Sequence, residues 1–188
     1  WAFSTTGGIE GAHQISTGNL VSLSEQQLVD CAGSQGNEGC NGGLMDDAFT
    51  WVIKNGGICS ESDYPYRGVD QTCQTTCSPV ATISSFVDVP EGSEDGLMTA
   101  LQLGPISVAI QANQLGFQFY NGGVFTGRCG KQLDHGVTLV GAGTDGGKDY
   151  WTVRNSWAAS WGEDGYIRMS RNDDNQCGVA TQAVYATL

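Results

Sequence analysis

Apolar side chains near the start of the chain recur at helical spacing. Ala2, Ile9, Ala12 and Ile15 fall close to a 3.6-residue period, which predicts a buried helix from Trp1 to Thr17. Gly7, Gly8 and Gly11 interrupt the pattern, and residues that small point to close packing against a neighbour. Ser24 followed by Gln27 forms a capping-box pattern, so a short helix is expected through Leu28 and Val29 to Cys31. A loop rich in Gly, Asn and Ser runs from Ala32 to Gly43. A further helix is predicted from about Leu44 to Lys54. Asp46 and Asp47 stand in its first turn, where the macrodipole favours carboxylates, and Asn55-Gly56-Gly57 stops it.

Beyond Tyr64-Pro65-Tyr66 the texture changes. One helix is expected from about Glu94 to Leu103, ended by Gly104-Pro105, and the rest alternates. Ile106, Val108 and Ile110 alternate with Ser107 and Ala109, and Val137–Gly141, Tyr150–Asn155 and Tyr166–Met169 are further strand candidates. Helices first and strands later, without a repeating βαβ order, predict an α+β protein in two halves. The boundary falls near Asp88 to Pro90, giving a helical domain over residues 1–88 and a β-rich domain over residues 89–188, with a C-terminal tail that can cross back. No internal repeat is visible.

Charge removes some function classes. Eight Lys and Arg against 20 Asp and Glu leave a formal charge of −12 and a pI near 4.2, a field that repels polyanions, so no nucleic-acid partner is expected. The excess of carboxylates suits an acidic compartment, but a solvated surface is the more ordinary reading. The longest apolar runs, such as Val137–Val140, fall far short of the roughly 20 residues of a membrane-spanning helix, so no membrane partner is expected. Trp1–Thr6 shows neither a basic start nor a cleavage site of a signal peptide. Cysteines stand at 31, 40, 59, 73, 77, 129 and 177. Only Cys73 and Cys77 approach a metal-ligand spacing, and His13 and His135 supply no second pair, so no metal is expected. Disulfides are the better reading and place the protein outside the reducing cytosol, with one cysteine of seven left over.

Three local signals carry chemistry. His135 lies in Leu133-Asp134-His135-Gly136 at the mouth of an apolar strand, where the glycine leaves an imidazole room, although a lone histidine is more often structural. Asn155-Ser156-Trp157, followed by Trp161-Gly162, offers an amide to hold an imidazole tautomer and an indole to cover that bond; two tryptophans are also ordinary core. Trp1-Ala2-Phe3-Ser4 opens the first helix. If a nucleophile precedes Trp1, His13 lies about 20 Å along the helix from it, which leaves His135 as the base.

Together these pieces resemble the papain and cathepsin L family, whose nucleophile sits in a Cys-x-x-Cys-Trp run with His and Asn far downstream. Gly39-Cys40-Asn41-Gly42-Gly43-Leu44-Met45, Asp63-Tyr64-Pro65-Tyr66, Gly104-Pro105-Ile106-Ser107-Val108 and Cys177-Gly178 extend the resemblance over the whole chain. It implies a papain-like two-domain fold with a cleft between a helical and a β-rich half. It also implies a cysteine endopeptidase working through a Cys-His-Asn site, with His135 and Asn155 catalytic and Trp1, Trp157 and Trp161 supporting. The nucleophile, and an upstream glutamine that donates to the oxyanion, would then precede the chain, which as it stands is expected to be inactive. Disulfides Cys31–Cys73 and Cys129–Cys177 follow from the family pattern and leave Cys59 with Cys77; Cys40 stays unpaired, its family partner lying upstream.

The same resemblance assigns Gly42, Gly43, Met45, Ala109, Leu133, Asp134, Gly136 and Gln182 to substrate binding. An extended peptide would pair with Gly43, and Met45, Ala109, Leu133 and Gly136, with Gln182 at the base, would favour an apolar residue two before the cut. Ala158 stands where relatives usually carry glycine, and little consequence is expected from its methyl group. The expected partners are a peptide or protein substrate, a pro-segment and cystatin-like inhibitors; no cofactor is expected, the state is monomeric, and the location is lysosomal, vacuolar or secreted. No Asn-x-Ser/Thr sequon occurs. The competing readings are a pseudo-peptidase that only binds and a non-enzymatic storage protein.

Overall fold

A computed structural model describes all residues, Trp1–Leu188. The chain divides into two compact units: Trp1–Val87 with Ala186–Leu188, and Asp88–Tyr185.

The first unit is built on three helices, α1 (Ala2–Thr17), α2 (Glu25–Cys31) and α3 (Met45–Asn55). Ile9, Leu23, Leu28, Met45, Phe49, Val52 and Ile58 are the largest of its aliphatic and aromatic side chains that are fully enclosed. Only the first half of α1 is buried, through Ile9; Ile15 is 63% exposed, so the apolar period continues past the point where the helix leaves the core. Gly18 ends α1 in the left-handed conformation, with φ 78°. Ser24 caps α2 by accepting from Gln27 N at 2.9 Å, but the reciprocal half of the capping box is absent. Ser24 N is taken by Cys59 O, and Gln27 Oε1 instead accepts from Cys59 N at 2.8 Å. The expected loop 32–43 contains two short 3₁₀ turns, Ala32–Gln35 and Gly39–Asn41.

Residues 61–80 lack regular structure, and side chains hold them instead. Gln26 donates to Val69 O and accepts from Arg67 N and Gly68 N, and Tyr64 Oη donates to Asp30 Oδ2. Cys31–Cys73 and Cys59–Cys77 close loops of 42 and 18 residues around this segment, which restricts its unfolded ensemble. Cys40 is unbonded and exposed.

The strands are β1 (Ser85–Asp88), β2 (Ile106–Ile110), β3 (Val124–Phe125), β4 (His135–Asp145), β5 (Lys148–Arg154), β6 (Tyr166–Ser170) and β7 (Gln182–Thr187), in the order β1-β7-β2-β4-β5-β6-β3. The chain changes unit within β1 and again within β7. In the second unit α4 (Glu94–Leu101) and the single turn α5 (Leu115–Gln118) accompany the sheet, whose core holds Leu97, Ile106, Val108, Ile110, Phe117, Leu139, Trp151, Val153, Ile167 and Met169. β4 is longer than its apolar run suggests: it continues through Gly141-Ala142-Gly143-Thr144 and turns at Gly146-Gly147, both at positive φ as a two-residue hairpin demands. Cys129–Cys177 closes a loop of 48 residues. No helix is long and apolar enough to cross a membrane.

Candidate active site

His135 opens β4 opposite Ile110 of β2. The residue before it is fixed twice, since Asp134 N donates to Ile110 O at 2.9 Å and Asp134 Oδ1 accepts from Ala112 N at 2.7 Å. These bonds carry the ordered geometry of the sheet to the imidazole. Asn155 follows β5, where its backbone N–H donates to Gly165 O at 3.0 Å. His135 Nε2 and Asn155 Oδ1 are 2.8 Å apart. Ser156 N donates to the same Asn155 oxygen at 2.8 Å. An oxygen that receives two donors must be the carbonyl of the amide, so Nε2 carries the proton and Nδ1 is the ring nitrogen left for other chemistry.

Trp157 lies stacked on the imidazole, with centroids 4.9 Å apart and planes 27° apart. Phe117 meets Trp157 edge-on at 5.7 Å, and Trp161 meets it at 5.4 Å. Trp161 Nε1 donates to Gln118 O at 2.9 Å, which satisfies its one polar atom. Burial holds the His135 imidazole below its ordinary 6.5, while the bond to Asn155 and the charge of Asp134 act in the opposite direction. Asn155 is 8% exposed, and its Nδ2 is buried with no hydrogen-bond partner. A poorly solvated, tautomer-fixed imidazole is suited to exchanging a proton with a neighbouring group.

The loop that carries these rings is strained. Ala158 has φ 66° and Asp164 φ 53°, in the left-handed region that disfavours a Cβ. The methyl of Ala158 is therefore not neutral as expected: it costs about 1 kcal/mol in backbone energy.

The other residues singled out by sequence fall within one unit or the other. In the first, Trp1 caps α1 and its Nε1 donates to Gly39 O at 3.0 Å. Gly42 adopts φ 129°, outside ordinary side-chain territory. A Cβ on Gly43 would collide with Asn37 Oδ1 and would sit 2.8 Å from the Trp1 ring. The glycine is thus required by packing inside this unit. Asn37, which sequence reasoning missed and no motif marks, is 5% exposed and its Oδ1 accepts from Leu44 N at 2.8 Å. Met45 is buried, whereas its neighbour Leu44 is exposed.

In the second unit Ala109 pairs directly with Gly136 on one side and Gln182 on the other, so these three share one face of β4, β2 and β7. Leu133 lies by Gly178, where an added Cβ would be 2.8 Å from its Cδ2. Asp134 is exposed, with its Oδ1 engaged by Ala112 N.

The family model for papain family cysteine proteases matches residues 1–187, and the chain belongs to that family. Cysteine proteinase RD21A of Arabidopsis thaliana is 57% identical over 190 residues, covering 98% of this chain and 41% of the relative. Cathepsin L of Sarcophaga peregrina is 53% identical over 193 residues, covering 100% of this chain and 57% of the relative. The chain thus spans about half the length of such relatives. Among solved structures, digestive procathepsin L 3 of Tenebrio molitor larval midgut superposes with a TM-score of 0.96 at 48% identity, over 100% of this chain and 62% of the other. The bromelain protease of Ananas comosus, in complex with the E64 inhibitor, gives 0.95 at 44% identity, over 100% of this chain and 88% of the other. The α+β fold is papain-like.

Proposed function

We propose that the protein is a cysteine endopeptidase in which His135 and Asn155 serve a cysteine thiolate that precedes Trp1 in the whole protein. The observation that carries this reading is the 2.8 Å bond from His135 Nε2 to Asn155 Oδ1 beneath the Trp157 ring, which leaves Nδ1 as the proton-exchanging atom. In the resting enzyme Nδ1 holds the thiol proton. The thiolate attacks a peptide carbonyl carbon and forms a C–S bond; the imidazolium then protonates the departing amine as the C–N bond breaks. Water, giving a proton to Nδ1 of the neutral imidazole, adds to the thioester carbonyl; the C–S bond breaks, the acid leaves and the thiolate is restored beside the imidazolium. Asn155 takes no proton in this cycle and keeps the ring in one tautomer.

The substrate is an extended peptide. In the first unit the backbone of Gly42 and Gly43 offers it a strand-like edge, with Met45 beside them. In the second, Ala109, Leu133 and Gly136, with Gln182 at the base, receive an apolar side chain two before the cut, and Asp134 belongs to the wider substrate-binding set. Six cysteines in disulfides favour a lysosomal, vacuolar or secreted location. A pro-segment and cystatin-like inhibitors are the proposed macromolecular partners of a monomer; solved relatives include a ragweed pollen protease in its proform.

The test uses a fluorogenic dipeptidyl substrate with a thiol-reactive epoxide as control. The chain extended upstream through a Cys-Trp junction should turn over substrate and lose activity to the epoxide. Its His135→Ala variant should fall by about 10³-fold or more, and the 188-residue chain alone should be inactive. Turnover by the 188-residue chain would refute the assignment. An inactive extended protein that carries the cysteine would do so too, and would make the protein a binding pseudo-peptidase.

A further inference from the structure

Trp157 owes its place over His135 to a loop with little conformational preference for the shape it adopts. Between Asn155 and β6, Ala158, Gly162, Asp164 and Gly165 all have positive φ, at 66°, 60°, 53° and 92°. Two of the four carry side chains, and such a backbone persists only where its surroundings over-determine it. Internal bonds tie the loop to itself, from Trp161 N to Ala158 O, Gly165 N to Trp161 O and Glu163 N to Tyr166 O. An external restraint is therefore needed, and one is visible.

Arg168 sits on β6, paired with Thr152 of β5 on one side and Val124 of β3 on the other, so its backbone belongs to the rigid body of the sheet. Its guanidinium grips Glu163 in a two-point fork, Nε to Oε2 at 2.8 Å and Nη2 to Oε1 at 2.7 Å. Nη1 donates to Asp145 Oδ2 at 2.7 Å, and the guanidinium lies 5.3 Å above the Tyr150 ring. The same Glu163 Oε1 accepts from Gly123 N at 2.9 Å. Tyr120 Oη donates to Gly123 O at 2.7 Å, and its ring lies 5.7 Å from that of Trp161. Trp161 in turn borders Trp157, which stacks on His135.

Resting on the catalytic reading of His135 and Asn155, we propose that Glu163 and Arg168 are positioning residues whose forked ion pair holds the Ala158–Gly165 loop so that Trp157 stays stacked on the imidazole. Neither touches the reacting atoms. They act through Trp161 and Trp157 by excluding water from one ring. The arginine is bound by the fork geometry as much as by charge, so a lysine in its place should not suffice.

The sign of one measurement separates this role from a through-space effect. The chain has two histidines, so His135 and His13 can be followed together by ring NMR across pH. In Glu163→Gln, loss of a carboxylate acting only through space would lower the His135 pKa. A loosened tryptophan cover would instead let water reach the ring and raise it, by about half a pH unit or more. Arg168→Lys keeps the charge and removes the fork, and should raise the His135 value likewise, with His13 unmoved in both and near-UV circular dichroism of the tryptophans reduced. A His135 value unchanged or lowered in folded variants would overturn the proposal, as would equal movement of His13. If Glu163→Gln does not fold, Arg168→Lys decides; if neither folds, the pair is structural and the positioning role is wrong. The catalytic reading fails separately. The titration is made on the chain itself and needs no nucleophile, whereas that reading stands or falls on turnover by the extended protein.

Discussion

Glu25 should make the first unit less stable as pH rises. The residue opens α2 and is 7% exposed, and Thr6 Oγ1 lies 2.7 Å from its Oε1. Burial pushes its carboxyl up from the ordinary 4.5 to about 7, the charges of Glu10 and Glu61 add to the rise, and the bond from Thr6 and its own amide oppose it. Thr6 Oγ1 also lies 3.2 Å from Phe3 O. With Glu25 protonated, the carboxyl can donate to Thr6 while Thr6 donates to Phe3, so one proton per atom satisfies the chain. Between pH 4.5 and about 7 the folded protein keeps a proton that the unfolded chain has released. Stability from this group is thus complete below 4.5 and falls until the folded value is passed. At about 1.36 kcal/mol per pH unit that window amounts to roughly 3 kcal/mol, or about 6–12 °C in melting temperature for a chain this size. Urea unfolding followed by tryptophan fluorescence at about pH 4.5, 6 and 7.5 measures it. Glu25→Gln should flatten the decline, whatever its absolute stability. Equal pH slopes in the two proteins, or wild-type stability that rises from about pH 5 to 7, would refute the reasoning.

Two further substitutions test the second unit. Ala158→Gly should stabilise it by roughly 0.5–1 kcal/mol, the relief of a left-handed alanine less the added freedom of glycine when unfolded, read as a higher urea midpoint; a lower midpoint would show the methyl to be packed usefully. Replacing Cys129 and Cys177 together by alanine opens a loop of 48 residues and should cost about 4 kcal/mol on chain-entropy grounds, and a loss under about 1 kcal/mol would mean that the unfolded chain is already restricted there.

How much of this was legible in the sequence depended on whether the deciding partner lies nearby in the chain. Helix α3 could be read almost to the residue because Asp46 and Asp47 begin it and Gly56 ends it in the left-handed conformation. The return half of the Ser24 capping box could not, because Gln27 finds Cys59, 32 residues away, a better partner. Strand β4 outran its apolar run because it continues through glycines that carry no apolar signal: at Gly143 an added Cβ would lie 2.5 Å from Tyr150 Oη, while at Gly141 it would make only ordinary contact with Thr152. His135, Asn155 and Trp157 stood out only as members of a family pattern of motifs, since each alone reads equally well as structure. Glu163 and Arg168 left no signal at all. A glutamate and an arginine five residues apart look like surface, and only the tight turn between them makes a fork.

The passage of the chain out of the first unit within β1 and back into it within β7 has a practical side. Ser84 N donates to Thr187 O, so the first unit is closed by residues synthesised after the second. A single scission beside Asp88 therefore yields no self-sufficient piece: the front fragment lacks its final hydrogen-bonded partner, and the back fragment carries a short end that belongs elsewhere. Dissecting the two, whether by a protease or by gene design, takes two cuts or a rewired order of the chain, and a ribosome cannot finish the first until it has finished the second.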